Sequence, residues 1–95
     1  MTRLDPIKRG DTFSLVATFD TTVQAAELRS EVRDGAGSLL DTCTITPMTD
    51  GVFQFMVNDT SGWRGTVYMD IRRTYGGITE TSDTIEIPIV RAITL

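Results

Sequence analysis

The chain has 95 residues, of which 40% are hydrophobic and 23% are charged, and its formal net charge is −4. This length predicts one domain, and the acidic balance argues against non-specific binding to nucleic acid or to an anionic membrane surface. The absence of histidine from the sequence excludes Ser-His-Asp and Cys-His nucleophile systems as well as histidine metal sites.

The first ten residues lack apolar periodicity and include Pro6 and Gly10. We therefore predict an N-terminal arm over residues 1–10, followed by a single domain over residues 11–95. The arm has no apolar core of a signal peptide, and no apolar run approaches the roughly 20 residues of a membrane span. The one cysteine, Cys43, has no internal disulfide partner, so we expect a soluble, cytosolically assembled chain that packing alone stabilises.

The first strand is predicted where side chains begin to alternate, from Thr12 to Phe19. Its outward set is small or β-branched, whereas its inward set is apolar and consists of Phe13, Leu15, Ala17 and Phe19. The following residues, 20–27, are too few for a stable helix and predict a connection with one helical turn at most.

A hairpin is predicted in the next part of the chain. Residues 28–34 alternate between an inward set and a charged set, and Asp34-Gly-Ala-Gly supplies a turn. Residues 38–46 then form the return strand, and Pro47 is expected to end it.

Two further strands complete the predicted core. Asp50-Gly51 predicts a turn before a strand over residues 52–57, and a strict two-residue period begins at Thr66. Trp63 stands just before that strand, where its ring would close one end of the core. The predicted core residues are Phe13, Leu15, Phe19, Phe53, Phe55, Trp63, Val67, Met69 and Ile71.

The last strand is predicted over residues 82–95, after a turn at Gly76-Gly77. Pro88 has no backbone N–H, so this strand should lie at a sheet edge or contain a bulge, and its exposed side is a candidate assembly edge. The whole pattern of about six or seven short strands, at spacings of roughly 8–12 residues, favours an antiparallel β-sandwich.

The residues that resemble chemical sites each have a simpler structural interpretation. Most aspartates stand beside Gly, Ser or Thr in predicted turns, and no Asp-x-Asp-x-Asp-Gly calcium spacing occurs. Cys43 has no histidine to serve as its base and is interpreted as a buried, inert thiol. Arg72-Arg73 on an acidic domain favours a solvated face or a subunit salt bridge over nucleic-acid binding. We therefore predict no enzyme activity, no metal and no cofactor.

Five segments, spread over nearly the whole chain, occur in a recognisable order. They are Ile7-Lys-Arg-Gly-Asp-Thr-Phe, Arg29-Ser-Glu-Val-Arg-Asp, Gly51-Val-Phe-Gln-Phe, Thr60-Ser-Gly-Trp with Gly65 and Asp70-Ile71, and Thr81-Ser-Asp-Thr-Ile with Ile93-Thr94. This order resembles the immunoglobulin-like N-terminal domain of phage baseplate upper proteins and related short tail proteins. The long stalk that carries receptor-binding proteins in that family has no counterpart here, which leaves tail, neck and capsid positions open.

The resemblance implies an immunoglobulin-like antiparallel β-sandwich of about seven strands and a non-enzymatic structural protein of a tailed phage particle, in its tail, baseplate or neck. Such a protein would be made in the host cytoplasm, reside in the virion, and bind copies of itself and other virion proteins. Two alternatives are a capsid-decorating protein and a carbohydrate- or receptor-binding module that uses Trp63, Tyr68 or Tyr75 as stacking platforms. The candidate assembly contacts are Arg9, Tyr68, Asp70, Arg72, Ile87 and Ile89.

Overall fold

The computed structural model describes residues 1–94 and shows two β-sheets that pack face to face. The predicted all-β sandwich is therefore confirmed. A single 3₁₀ turn, Ala25–Glu27, occupies the first long connection. The strands are β1 (Thr2–Arg3), β2 (Ile7–Lys8), β3 (Phe13–Thr18), β4 (Leu28–Arg33), β5 (Leu39–Thr42), β6 (Thr44–Thr49), β7 (Val52–Val57), β8 (Thr66–Tyr75), β9 (Ile78–Thr81) and β10 (Ile85–Val90).

The two sheets divide the strands as an immunoglobulin-like sandwich does. The first sheet has the order β1-β10-β8-β4-β5, with β2 also beside β10 and β9 also beside β8. The second sheet has the order β3-β7-β6. The chain crosses between the two sheets four times, after β2, β3, β5 and β7, and the core forms where their inner faces meet.

The core lies between these inner faces and follows the predicted alternation closely. Seven of the nine predicted core residues are buried, while Leu15 and Phe19 are half-buried and pack against the others. Leu15 remains half-buried because β3 is an edge strand with no neighbour on its outer side. Val32 and Ile87, which are completely buried, join the core from the first sheet.

The predicted return strand over residues 38–46 is confirmed only for its first part, because the chain changes sheets in its middle. Leu39–Thr42 pairs with β4 in the first sheet, whereas Thr44–Thr49 pairs with β7 in the second. Cys43 is the buried residue at the crossing. Pro47 also does not end the strand, because β6 is an edge strand with a register shift after that residue, and such a strand tolerates a missing N–H.

The last strand was predicted over residues 82–95, but β10 covers only Ile85–Val90 and does not lie at a free sheet edge. β9 and β10 both run beside β8, and Leu95 lies outside the described residues. The N-terminal arm then covers the far side of β10 by parallel pairing, with the N–H groups of Thr2 and Arg9 donating at 2.9 Å to the carbonyls of Thr84 and Val90. The prediction of a free assembly edge on this strand is therefore wrong.

Candidate functional site

Three of the predicted assembly contacts lie side by side on the outer face of the first sheet. Tyr68, Asp70 and Arg72 alternate along β8, whose inward residues are buried in the core. Directly opposite them on β4, in the same order, lie Arg33, Glu31 and Arg29. We call these six residues the charged face. They line a shallow groove of about 530 Å³, to which Met69 and Thr84 also contribute.

The register between β4 and β8 arranges the charged face in rows of like charge. Arg29 lies opposite Arg72, and Glu31 lies opposite Asp70. Like charges directly opposite each other on neighbouring strands repel, so this arrangement does not stabilise the isolated sheet. One row is therefore basic and the adjacent row is acidic.

The acidic residue of β4 is neutralised within its own strand. Glu31 forms ion pairs with Arg33 at 3.0 Å and with Arg29 at 3.3 Å. The hydrogen bond from Arg33 is the main reason that the pKa of Glu31 is below its ordinary value. By contrast, Asp70 and Arg72 form no ion pair with any of residues 1–94. β8 thus presents one negative and one positive charge, two residues apart, that the described fold leaves uncompensated.

The other three predicted contacts lie elsewhere. Arg9 is half-buried at the end of the arm, where its backbone bonds to β10. Ile87 is 0% exposed, so its prediction as an assembly contact is wrong: it points into the sandwich between the two sheets. Ile89 is half-buried and packs against the same core.

The aromatic residues do not form a stacking platform. Trp63 is 1% exposed, its ring centre lies 5.6 Å from that of Phe13, and its indole N–H donates to Asp41 Oδ2 at 2.7 Å. Its prediction as a stacking platform is wrong, because no ligand can reach the ring. The guanidinium of Arg73 covers one side of Tyr75 at 3.6 Å from the ring centre. Tyr68, the remaining ring, belongs to the charged face.

Other chemistry has little support in the described part of the chain. No group of three Cys, Asp or Glu residues within 1–94 is arranged to hold a metal ion. Burial raises the pKa of the Cys43 thiol and so disfavours the reactive thiolate. None of the helical segments described is long and apolar enough to span a bilayer.

The sequence did not predict two polar contacts that hold loops together. Thr60 is fully buried, and its hydroxyl donates to the Asp11 carbonyl at 2.6 Å and accepts from the Gly10 N–H at 3.0 Å. Asp41 accepts the hydrogen bond from Trp63 across 22 positions of sequence. Neither pairing has a local signal, because each depends on how distant loops meet.

Comparison with known proteins leaves the surfaces as the main evidence on function. No protein-family model matches the chain, and neither does any of the curated proteins or solved structures with which it was compared. The charged face and the sheet edges are therefore the features from which a function can be inferred.

Proposed function

We propose that this chain is a non-enzymatic structural protein that assembles in symmetric copies, as a component of the tail, baseplate or neck of a tailed phage particle. The observation that carries the assembly part of the proposal is the charged face, where Asp70 and Arg72 have no ion-pair partner within residues 1–94. The phage context is supported by the resemblance of the sequence segments.

The charged face is complementary to itself. Consider a second copy that is rotated by 180° about an axis parallel to the sheet and perpendicular to β8, at the level of Ile71. Arg72 of each copy then meets Asp70 of the other. Because β4 lies over β4 in the same arrangement, Arg29 meets Glu31 in the same reciprocal way. The rows of like charge, which repel within one chain, then lie against rows of opposite charge in an isologous contact. Asp70 and Arg72, which have no partner in one chain, form two reciprocal ion pairs, whereas Arg29 and Glu31 extend a pair that already exists within each chain.

The charges would fix the orientation of such a contact more than its strength. Exposed ion pairs contribute only about 0.2–1 kcal/mol each, and salt weakens them. A specific interface buries about 800 Å² on each partner, which is roughly an eighth of the 5927 Å² surface of this domain. Tyr68 and the half-exposed Leu39 offer apolar area at one end of the charged face. We therefore expect a modest, salt-sensitive association.

A charge-swap experiment tests this contact. Light scattering at low ionic strength should show assembly of the wild type, and both R29E/R72E and E31R/D70R should lose the contact made by the charged face, because each gives the two facing rows the same sign of charge. A mixture of the two variants should assemble again, since acidic faces then meet basic ones. R91E, which reverses an exposed charge outside the charged face, is the matched control.

Two results would overturn the proposal. If the wild type stays monomeric at every concentration, or if the mixture fails to recover assembly while each variant has the circular dichroism spectrum of the wild type, the charged face is not a subunit contact. The phage context has its own test, which is mass spectrometry of purified particles. Particles that lack the chain would exclude the virion role.

A further inference from the structure

The outer edge of the second sheet carries backbone groups without partners. β3 pairs with β7 at all six of its residues and without a register shift. The Phe19 N–H donates to the Gly51 carbonyl in the continuation of this ladder, so the odd-numbered residues bond to β7. The N–H and C=O groups of Ser14, Val16 and Thr18 therefore point away from β7. They have no hydrogen-bond partner among residues 1–94.

This edge lacks the features that usually prevent strand pairing between molecules. Charged residues, proline, bulges and short length are the common protections of an exposed edge. β6 has Pro47 and a register shift, β5 has four residues including Asp41, and the arm covers β10. β3 has six residues with no charge, proline or glycine.

The outer face beside this edge is also free of charge, in contrast to the charged face on the opposite side of the domain. Its central residue on β3, Val16, is 51% exposed. The exposed and half-buried residues of this face are Ser14, Val16, Thr18, Thr44, Thr46, Thr49, Val52, Gln54 and Met56. Although each copy carries a net charge of −4, two such edges can approach without a local charge repulsion.

We infer that β3 pairs antiparallel with β3 of a second copy of this chain, which joins two three-stranded sheets into one of six strands. This inference rests on the proposed function, because both require the chain to associate with copies of itself. The β3 contact, however, uses a different surface from the charged face. Strand addition at an open sheet edge is a common mode of recognition because the main chain supplies the hydrogen bonds.

One register satisfies every free backbone group on the edge. With the two-fold axis at Val16, this residue lies opposite Val16 of the second copy, and Ser14 lies opposite Thr18. All three pairs are of the hydrogen-bonded type, so six N–H···O bonds form. On the inner side, Leu15 then meets Ala17 of the second copy, and both side chains, half-buried in the monomer, become covered. The edge of the core would continue across the two chains.

Cysteine cross-linking tests this register. Opposed residues of a hydrogen-bonded pair have Cα atoms about 5.5 Å apart, within the range that a disulfide bridges. Oxidised V16C should therefore form a covalent dimer. S14C and T18C should each stay monomeric, because identical residues at these positions lie four residues, about 13 Å, apart along the paired strands. A mixture of S14C and T18C should cross-link.

A second variant tests the β3 contact without covalent cross-linking. V16K places two like charges opposite each other at the two-fold axis, and we expect it to raise the dimer dissociation constant about tenfold or more. T46K adds the same charge to the same outer face on β6, away from the paired edge, and should leave dimerisation unchanged. Equal effects of V16K and T46K would overturn the inference.

The cross-linking is best performed in the R29E/R72E background, which separates this contact from the charged face. A V16C-specific dimer in that background supports β3 pairing independently. If V16C cross-links no more than S14C, β3 pairing is excluded. In that case, recovery of assembly in the charge-swap mixture would still support the proposed function. Failure of both experiments would exclude both contacts.

Discussion

Removal of the only tryptophan is the most direct test of the fold. Trp63 is 1% exposed, packs against Phe13 and donates its N–H to Asp41 at 2.7 Å. Replacement of such a residue by alanine typically lowers the free energy of unfolding by about 3–5 kcal/mol, through lost burial and the cavity that remains. A domain of this length has roughly 5–14 kcal/mol of stability in total. At about 5 °C per kcal/mol, W63A should melt about 15–25 °C below the wild type.

Urea unfolding followed by circular dichroism measures this change, since the variant has no tryptophan fluorescence. W63F keeps an aromatic ring but removes the N–H donor, and D41A removes the acceptor; each should lose about 1–3 kcal/mol. The double variant W63F/D41A should lose less than the sum of the two, because they share one hydrogen bond. A loss below about 1 kcal/mol in W63A would refute the view that this ring closes the core.

Three further substitutions or reactions probe individual contacts. Gly51 has a φ of +76°, and a Cβ there would lie 2.6 Å from the Phe19 carbonyl oxygen, so G51A should lower the urea-unfolding free energy by at least about 2 kcal/mol; an unchanged midpoint would contradict the close approach. T60V loses the buried hydrogen bond to Asp11 and should lose about 1–3 kcal/mol in thermal melts, whereas T60S should not. The buried thiol of Cys43 has a raised pKa and should react with a disulfide reagent only as fast as the fold opens, so rapid labelling of the native protein would count against its burial.

The strands that were predicted correctly are those whose burial follows a local period of two. β3, β4, β7 and β8 each have one side in the core and one side outside, and their alternating residues record this directly. The change of sheet at Cys43 could not be predicted in this way. The segments on both sides of Cys43 have strand-like sequences, and they differ only in the strands with which they pair. Pairing of the arm with β10 joins residues more than 80 positions apart, which no local pattern reports.

The charged face shows the same division between local and tertiary information. The sequence indicates that Tyr68, Asp70 and Arg72 face outward, since their neighbours on β8 are apolar. The rows of like charge arise only when β4 takes its register beside β8, which places Arg29 opposite Arg72. That register is set by the packing of the core beneath it, and a one-residue slip would reverse the two faces.

The two candidate contacts should respond to salt in opposite directions, and this difference separates them in one experiment. Salt screens the ion pairs of the charged face and so weakens that contact. At β3, no charged residue lies on the edge itself, so salt would act chiefly by reducing the general repulsion between two chains of net charge −4. A chain that used both contacts would form larger assemblies at low salt and reduce to strand-paired dimers at high salt. In V16K the product at high salt should instead be the monomer. The two lysines at the two-fold axis repel each other at too short a distance for salt to screen them fully, so β3 does not pair. The charged face, which is the other contact, is weakened by salt.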